Sequence, residues 1–446
     1  MMRYRGPDDV GISTEGGFTL GMARLKIIDT VSPGLCPIRD GDYALVFNGE
    51  LYNYIELKHE LEELGEKFTT QGDGEVLLKA YRKWGTEALD RFNFMGAFAI
   101  SNGTDVFLAR DIAGEKPLYY RVAPSFSFAS EAKALGYDCV EFPPAHYGIY
   151  NIGNRNLDIR KWWSPPQGGT YCGTLGDAIT GLDILLADSV RLRTRAHVPY
   201  GLYRSGGIDS SLISSYHNFE HQFTYDDTHS TEEEFKETFP KILWHLDYPV
   251  KTFSPFGLWK LAEEASKKVK VVLSGEGADE LFGGYVRFVP NEFNRKAQHL
   301  FPSYQALFPY KDMLAEEFNG NMRELLRMGD RMAAAYSIEN RCPFLDRRVI
   351  EFAMRLPMEF KIQGYETKVV LRELIKRRLP TYQFEEKKGL YVKVNEWLGE
   401  SNPFDKRVYL EYQYSLWKKS LLQGRVALSG TTSSPSLKTE ASTSSV

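Results

Sequence analysis

The stretch Ser205-Gly206-Gly207-Ile208-Asp209-Ser210-Ser211 constrains this chain more than any other. An apolar run (Val198, Tyr200, Leu202) precedes it, and Leu212, Ile213 and Tyr216 follow. That order reads as a strand, a glycine-rich turn and the start of a helix. Adjacent glycines let successive backbone amides point into one concavity, and the serine hydroxyls and the helix N-terminus add donors there. Such a nest suits a phosphate or pyrophosphate; a serine-rich turn that only caps a helix is the plainer alternative. Asp209 would repel a bare anion, but it makes sense where Mg2+ sits between carboxylate and phosphate.

A second stretch of the same kind lies further on. Val269-Lys270-Val271-Val272-Leu273 reads as a buried strand running into Ser274-Gly275-Glu276-Gly277-Ala278-Asp279-Glu280-Leu281-Phe282-Gly283-Gly284-Tyr285. Two strands that each end in a polar glycine loop put both loops at the carboxyl edge of one parallel sheet, where open α/β sheets bind ligands. The pattern from residue 176 onward is α/β, with a helix predicted over 178–192 and strands over 198–202 and 222–225.

Residues 1–150 are different. Short apolar runs alternate with turn signals (18–20, 43–47, 97–100, 106–109, 126–129), and two helical periods cover 55–64 and 75–84. This predicts a layered α+β sandwich. Its polar punctuation could hold an amino acid. Arg24 would fork onto an α-carboxylate, Asp73 would take the α-ammonium, and the amides of an Asn48-Gly49 turn would face an oxyanion. Taken singly, each has a plain structural reading: Asn-Gly as a turn, Asp73 as a helix N-cap.

The 446 residues allow two or three domains, and a net charge of -4 leaves no polybasic footprint for nucleic acid or an anionic membrane. No apolar run approaches the roughly 20 residues of a membrane span, and the start shows no apolar leader. Cys36, Cys139, Cys172 and Cys342 are scattered, which predicts free thiols and a cytoplasmic setting.

Several motifs together carry a resemblance. Arg5-Gly6-Pro7-Asp8, Arg24-Leu25, Asn48 to Asn53, Arg110-Asp111, Lys116 to Tyr120 and Ser130-Glu131 follow the order of class II glutamine amidotransferase domains. With the two glycine loops, the chain resembles the glutamine-hydrolysing asparagine synthetase family. The resemblance implies a four-layer α+β sandwich of the N-terminal nucleophile hydrolase type, then an α/β parallel-sheet ATP pyrophosphatase domain. The expected divisions are 1–150, a linker over 151–175, the synthetase domain over 176–424 and a disordered tail over 425–446. The Trp162-Trp163 pair is expected to pack the two domains together, and 403–423 to form a docked helix.

The activity so implied is adenylation of the aspartate side-chain carboxylate with release of pyrophosphate, then amidation by ammonia drawn from glutamine through an interdomain tunnel. The partners implied are ATP, Mg2+, aspartate, glutamine or ammonia, and a second copy of the chain. By motif, Arg24, Asn48, Gly49 and Asp73 would bind glutamine. Ser205, Gly206, Gly207, Asp209, Ser210, Ser211, Ser274, Gly275 and Lys251 would touch ATP or pyrophosphate, and Asp209 and Asp279 would hold Mg2+. Glu276 would support the adenylate and orient the amine, and Lys387, with Lys388 as its rival, would reach the phosphates. Glu339 and Arg341 read as a helix-end ion pair that builds the site.

The chain also departs from the family. Met1-Met2 stands almost at the Arg-Gly-Pro-Asp turn, so the strand that begins with the catalytic cysteine has no counterpart, and an internal cysteine cannot supply an α-amine. An incomplete copy or an ammonia-using form would account for this, and either would leave a gap in the sandwich. The 212–243 interval is short for the family, Tyr203-Arg204 replaces a small or apolar pair, and Lys251 stands in for an arginine. The alternatives are an amidotransferase for another carboxylate and a degenerate, non-catalytic paralogue.

Overall fold

The computed structural model describes residues 2–15, 17–32, 36–166, 169–225, 230–250, 252–285, 288, 314, 317–384, 394–399 and 407–425. Lys251, Lys387, Lys388 and the Ser/Thr-rich tail lie outside the described residues.

The first half comprises β1 (Asp9–Glu15), β2 (Phe18–Arg24), β3 (Ile38–Asp40), β4 (Tyr43–Leu51), α1 (Tyr54–Glu63), α2 (Asp73–Trp84), α3 (Ala88–Arg91), β5 (Phe94–Ser101), β6 (Asp105–Arg110), β7 (Tyr119–Arg121), β8 (Ser127–Ala129), β9 (Val140–Glu141), β10 (His146–Asn151) and β11 (Asn156–Lys161). Six of the strands form one sheet in the order β11-β10-β6-β5-β4-β3, with every pair antiparallel. The period-two alternation of β4 and β5 sorts side chains by size. Leu45, Phe47, Phe98 and Ile100 face α1 and α2 through Leu57, Leu61, Val76 and Leu77. Ala44, Val46, Ala97 and Ala99 face the opposite layer, where Leu20, Leu118 and Phe126 meet them. That opposite layer consists of two separate pieces, the β1-β2 ribbon and the β8-β7-β9 sheet. The predicted sandwich is therefore present, and among the described residues no strand joins the two pieces.

The second half comprises α4 (Leu175–Arg193), β12 (Tyr200–Tyr203), α5 (Ile208–Tyr216), β13 (His221–Phe223), α6 (Glu232–Leu246), α7 (Ser254–Ser266), β14 (Val271–Leu273), α8 (Ala278–Phe282), α9 (Asn321–Ala335), β15 (Glu339–Arg341), α10 (Arg347–Arg355), α11 (Val369–Arg378) and α12 (Arg407–Arg425). Thr174 opens α4 with a reciprocal capping box: its hydroxyl accepts from the Asp177 amide, and the Asp177 carboxylate accepts from the Thr174 amide. The sheet order is β13-β12-β14-β15 and every pairing is parallel. From β12 the chain crosses to one side for β13 and to the other for β14. The crevice at that reversal lies between the carboxyl ends of β12 and β14, where both glycine loops emerge.

Two elements differ from expectation. Asn48-Gly49 lies inside β4, opposite Ala97 and Gly96, and is not a turn. Gly49 has φ 147°, and a Cβ there would sit 2.0 Å from the Met95 carbonyl oxygen, so the pair marks a close strand approach. Glu339 and Arg341 lie on β15, not at a helix end. Their polar sequence hid a strand whose side chains are buried by contact with the first half.

The halves are locked by charge as much as by apolar packing. Arg341 donates to Glu339 and to Glu50 of β4 (both 2.8 Å) and to the carbonyls of Arg193 and Arg195. Asn93 donates to Asp346 at 2.9 Å, and Lys270 pairs with Asp8 at 2.8 Å. Trp162 donates its indole N–H to Arg110 in the first half, while Trp163 donates to Glu351 on α10, so the tryptophan pair spans the junction as expected. The predicted docked helix is α12, whose Gln413 side chain bonds both the amide and the carbonyl of Val250.

Candidate active sites

Arg24, Asn48, Gly49 and Asp73 come from β2, β4 and the start of α2, and all four line one cavity of about 220 Å3. Arg24 is buried, and its Nη2 donates to the carbonyls of Ile28 and Asp29, both at 2.9 Å. This fixes the guanidinium and leaves Nη1 buried without a partner. The Nδ2 of Asn48 is likewise buried without a partner. Two orphaned donors beside one carboxylate are costly unless a ligand meets them. Asp73 accepts from the Leu51 amide at 3.0 Å, and burial pushes its carboxyl up to about 6. A ligand ammonium there would restore the ionised form. Cys36 does not line this cavity, and burial pushes its thiol up to about 11.

The two glycine loops touch each other. A Cβ on Gly275 would lie 2.7 Å from the Cβ of Asp209, so only glycine permits this approach. Gly206 has φ 75°, and Ser210 Oγ accepts from the Ser205 amide at 3.2 Å while donating to the Gly207 carbonyl. Ser211 donates to the Gly206 carbonyl at 3.4 Å. Ser274 is buried, its Oγ 3.6 Å from the Cys342 sulfur.

Asp209 and Asp279 converge on one cation. Lys368 Nζ pairs with Asp209 at 2.6 Å and with Asp279 at 2.7 Å. Lys368 is only 5% exposed and precedes α11 in a left-handed conformation, φ 56°. The two carboxylates hold its ammonium above the usual lysine range against the opposing cost of burial. Nothing local in the sequence marks Lys368, because its partners are 159 residues away in Asp209 and 89 away in Asp279. Among the described residues no set of three or more His, Cys, Asp or Glu side chains converges on a point. Two carboxylates around one cation do fit Mg2+, which is held by one or two carboxylates plus substrate phosphates.

Glu276 stands between this crevice and α9. Its Oε2 accepts from Asn340 at 3.4 Å and lies 3.8 Å from the Cys342 sulfur, and its carboxyl rests against Gly329. Burial, with Glu280 adding to it, pushes this carboxyl up to about 8. A second cavity of about 10 Å3 opens beside it, lined by Glu115, Lys116, Glu276, Leu326, Asp330, Asn340 and Cys342. Lys116 and Asp330 line the larger cavity as well, and their ion pair (3.3 Å) separates the two spaces. Asp330 also receives Arg5 at 2.8 Å. Its carboxyl is held below the usual range: burial opposes this, and Arg5 and Lys116 overcome it.

The fold and its two linked sites define a two-part protein: a sandwich with a buried cavity coupled to a parallel sheet with paired glycine loops. The family model described as a glutamine amidotransferase domain matches residues 1–151, and the one described as asparagine synthase matches 181–225, 219–324 and 309–415. Asparagine synthetase (glutamine-hydrolyzing) 1 of Bacillus subtilis (strain 168) is 30% identical over 93% of this chain and 86% of that protein. Asparagine synthetase (glutamine-hydrolyzing) 2 of Oryza sativa subsp. japonica is 30% identical over 81% of this chain and 66% of that protein. Among solved structures, an allosteric regulatory enzyme of purine biosynthesis aligns with a TM-score of 0.31 and 15% identity over 69% of this chain and 74% of that chain, too slight a likeness to carry weight. The chain belongs to the asparagine synthase family.

Proposed function

We propose that the chain makes asparagine: ATP adenylates the side-chain carboxylate of aspartate, pyrophosphate leaves, and ammonia displaces AMP. The larger cavity would hold glutamine, the amido donor that the family resemblance implies, and ammonium itself can feed the amidation step. The observation that carries this reading is that Lys116 and Asp330 line both cavities, so the amino-acid site and the crevice at Glu276 adjoin through one ion pair.

Each group has a task in this reading. The Arg24 Nη1 meets the glutamine α-carboxylate, Asp73 takes its ammonium, and Asn48 with the Gly49 amide faces the amide oxygen as it gains charge. The amides of Gly206 and Gly207 and the hydroxyls of Ser205, Ser210 and Ser211 grip the pyrophosphate end of ATP, with Ser274 and Gly275 beside it. Asp209 and Asp279 would hold Mg2+, which supplies charge neutralisation for the phosphates. Lys368 then lies within reach of the phosphates. Lys251 and Lys387 are assigned the same phosphates by motif. Glu276 orients the incoming amine and, in its ionised form, accepts the proton that the new amide sheds. A homodimer in the cytoplasm completes the proposal. The test is purified chain with ATP, Mg2+, aspartate and ammonium: pyrophosphate and asparagine in equal amounts support it, and no pyrophosphate with aspartate overturns it.

A further inference from the structure

We propose that Glu115 is an ammonium-receiving carboxylate, which takes the proton that turns arriving ammonium into the nucleophile. The inference rests on the amidation reading above and deepens it. Glu115 is 5% exposed and lines the small cavity together with Glu276. Its Oε2 is buried with no hydrogen-bond partner. A buried carboxylate oxygen without a partner is an acceptor that a small donor entering the cavity can meet. The adjoining backbone is fixed, because the Glu115 amide donates to Asp111 Oδ1 at 2.9 Å and the Lys116 amide to Asp111 Oδ2 at 3.2 Å. The side chain is thus presented to the cavity by a rigid turn. A volume of about 10 Å3 admits one molecule the size of water or ammonia.

The chemistry requires such a group. Adenylate attack needs the lone pair of neutral ammonia, and at neutral pH free ammonia is almost entirely ammonium. At Glu115 one N–H bond of ammonium breaks, its electron pair stays on nitrogen, and an O–H bond forms on the carboxylate. The ammonia then attacks the acyl carbon, the C–O bond to AMP breaks, and the proton shed by the new amide goes to Glu276. Glu115 returns its proton to solvent through the larger cavity. Burial and Asp111 raise the carboxyl well above its ordinary range, while Arg193, Lys116 and a hydrogen bond from the Cys342 thiol to the carboxyl oppose them. Glu276 and Asp330 line the same cavity.

The experiment measures asparagine formation against total ammonium from pH 6.5 to 8.5 in wild type, Glu115→Gln and Glu115→Asp. Glu115→Gln should release pyrophosphate from ATP and aspartate as wild type does. Its KM for total ammonium at pH 7 should rise at least tenfold and then fall about tenfold per pH unit, tracking free ammonia. Wild type should show a flatter profile, with Glu115→Asp between the two. Glu115→Gln with the wild-type KM and pH profile would overturn the inference. A wild type that releases no pyrophosphate would defeat the amidation reading instead. Binding of [15N]ammonium, read by NMR line width, would still decide this one: it should be present in wild type and lost in Glu115→Gln, and equal binding in both would overturn the inference.

Discussion

Replacing Arg24 by lysine probes the amino-acid site most sharply, because the guanidinium there does two jobs at once. Its Nη2 serves the carbonyls of Ile28 and Asp29, and its Nη1 waits unpaired in the cavity. A lysine ammonium reaches one set of acceptors or the other, since it lacks the planar fork. If it satisfies the carbonyls, the ligand carboxylate loses a charge-assisted bond worth about 1.5–3 kcal/mol, which is roughly 10- to 150-fold in affinity. Calorimetric titration with glutamine and with 4-aminobutanamide, its analogue without the α-carboxylate, isolates that bond. Wild type should prefer glutamine by about the same factor, and Arg24→Lys should bind both compounds alike. An Arg24→Lys chain that keeps the full preference for glutamine would refute the pairing of Nη1 with a carboxylate.

Three further outcomes are expected. Asp279→Asn should abolish pyrophosphate release while leaving glutamine binding intact, because one of the two carboxylates around the shared cation is lost; unchanged turnover would remove Asp279 from that role. Glutamine binding should weaken about tenfold per pH unit below about 6, because protonated Asp73 cannot pair with an ammonium. The linkage to stability runs the opposite way: the folded-state value is raised, so Asp73 favours the fold most below its ordinary value near 3.8 and that contribution is lost as pH rises through about 6. Both trends are measurable, by titration calorimetry and by urea melts across that window, and a flat response in either would contradict the shift. Arg341→Met should destabilise the chain by about 3–5 kcal/mol in urea melts, since it leaves buried Glu50 and Glu339 without their cation.

What the sequence revealed and what it hid follow from the range of the interactions. Ser205–Ser211 and Ser274–Tyr285 were legible because strand, glycine turn and helix start are local signals, and their shared edge follows from parallel-sheet topology. Asn48-Gly49 carried the right residue types for the wrong local reason: the pair reads as a turn but lies in a strand, because Gly49 must pass close to Met95. The Glu339–Arg341 strand escaped notice because its burial comes from Glu50 and from the carbonyls of Arg193 and Arg195, all of them distant in sequence. The roles of Lys368, Asp330, Lys116 and Glu115 became visible only in three dimensions, since each owes its meaning to a partner or a cavity supplied by another part of the chain.

The most direct measurement follows oxygen. With aspartate labelled by 18O in its side-chain carboxylate, adenylation at the paired loops must leave one labelled oxygen on AMP when ammonia displaces it. The account predicts AMP carrying a single 18O and unlabelled pyrophosphate, as read by mass spectrometry. Unlabelled AMP, or label in inorganic phosphate alongside ADP, would contradict it.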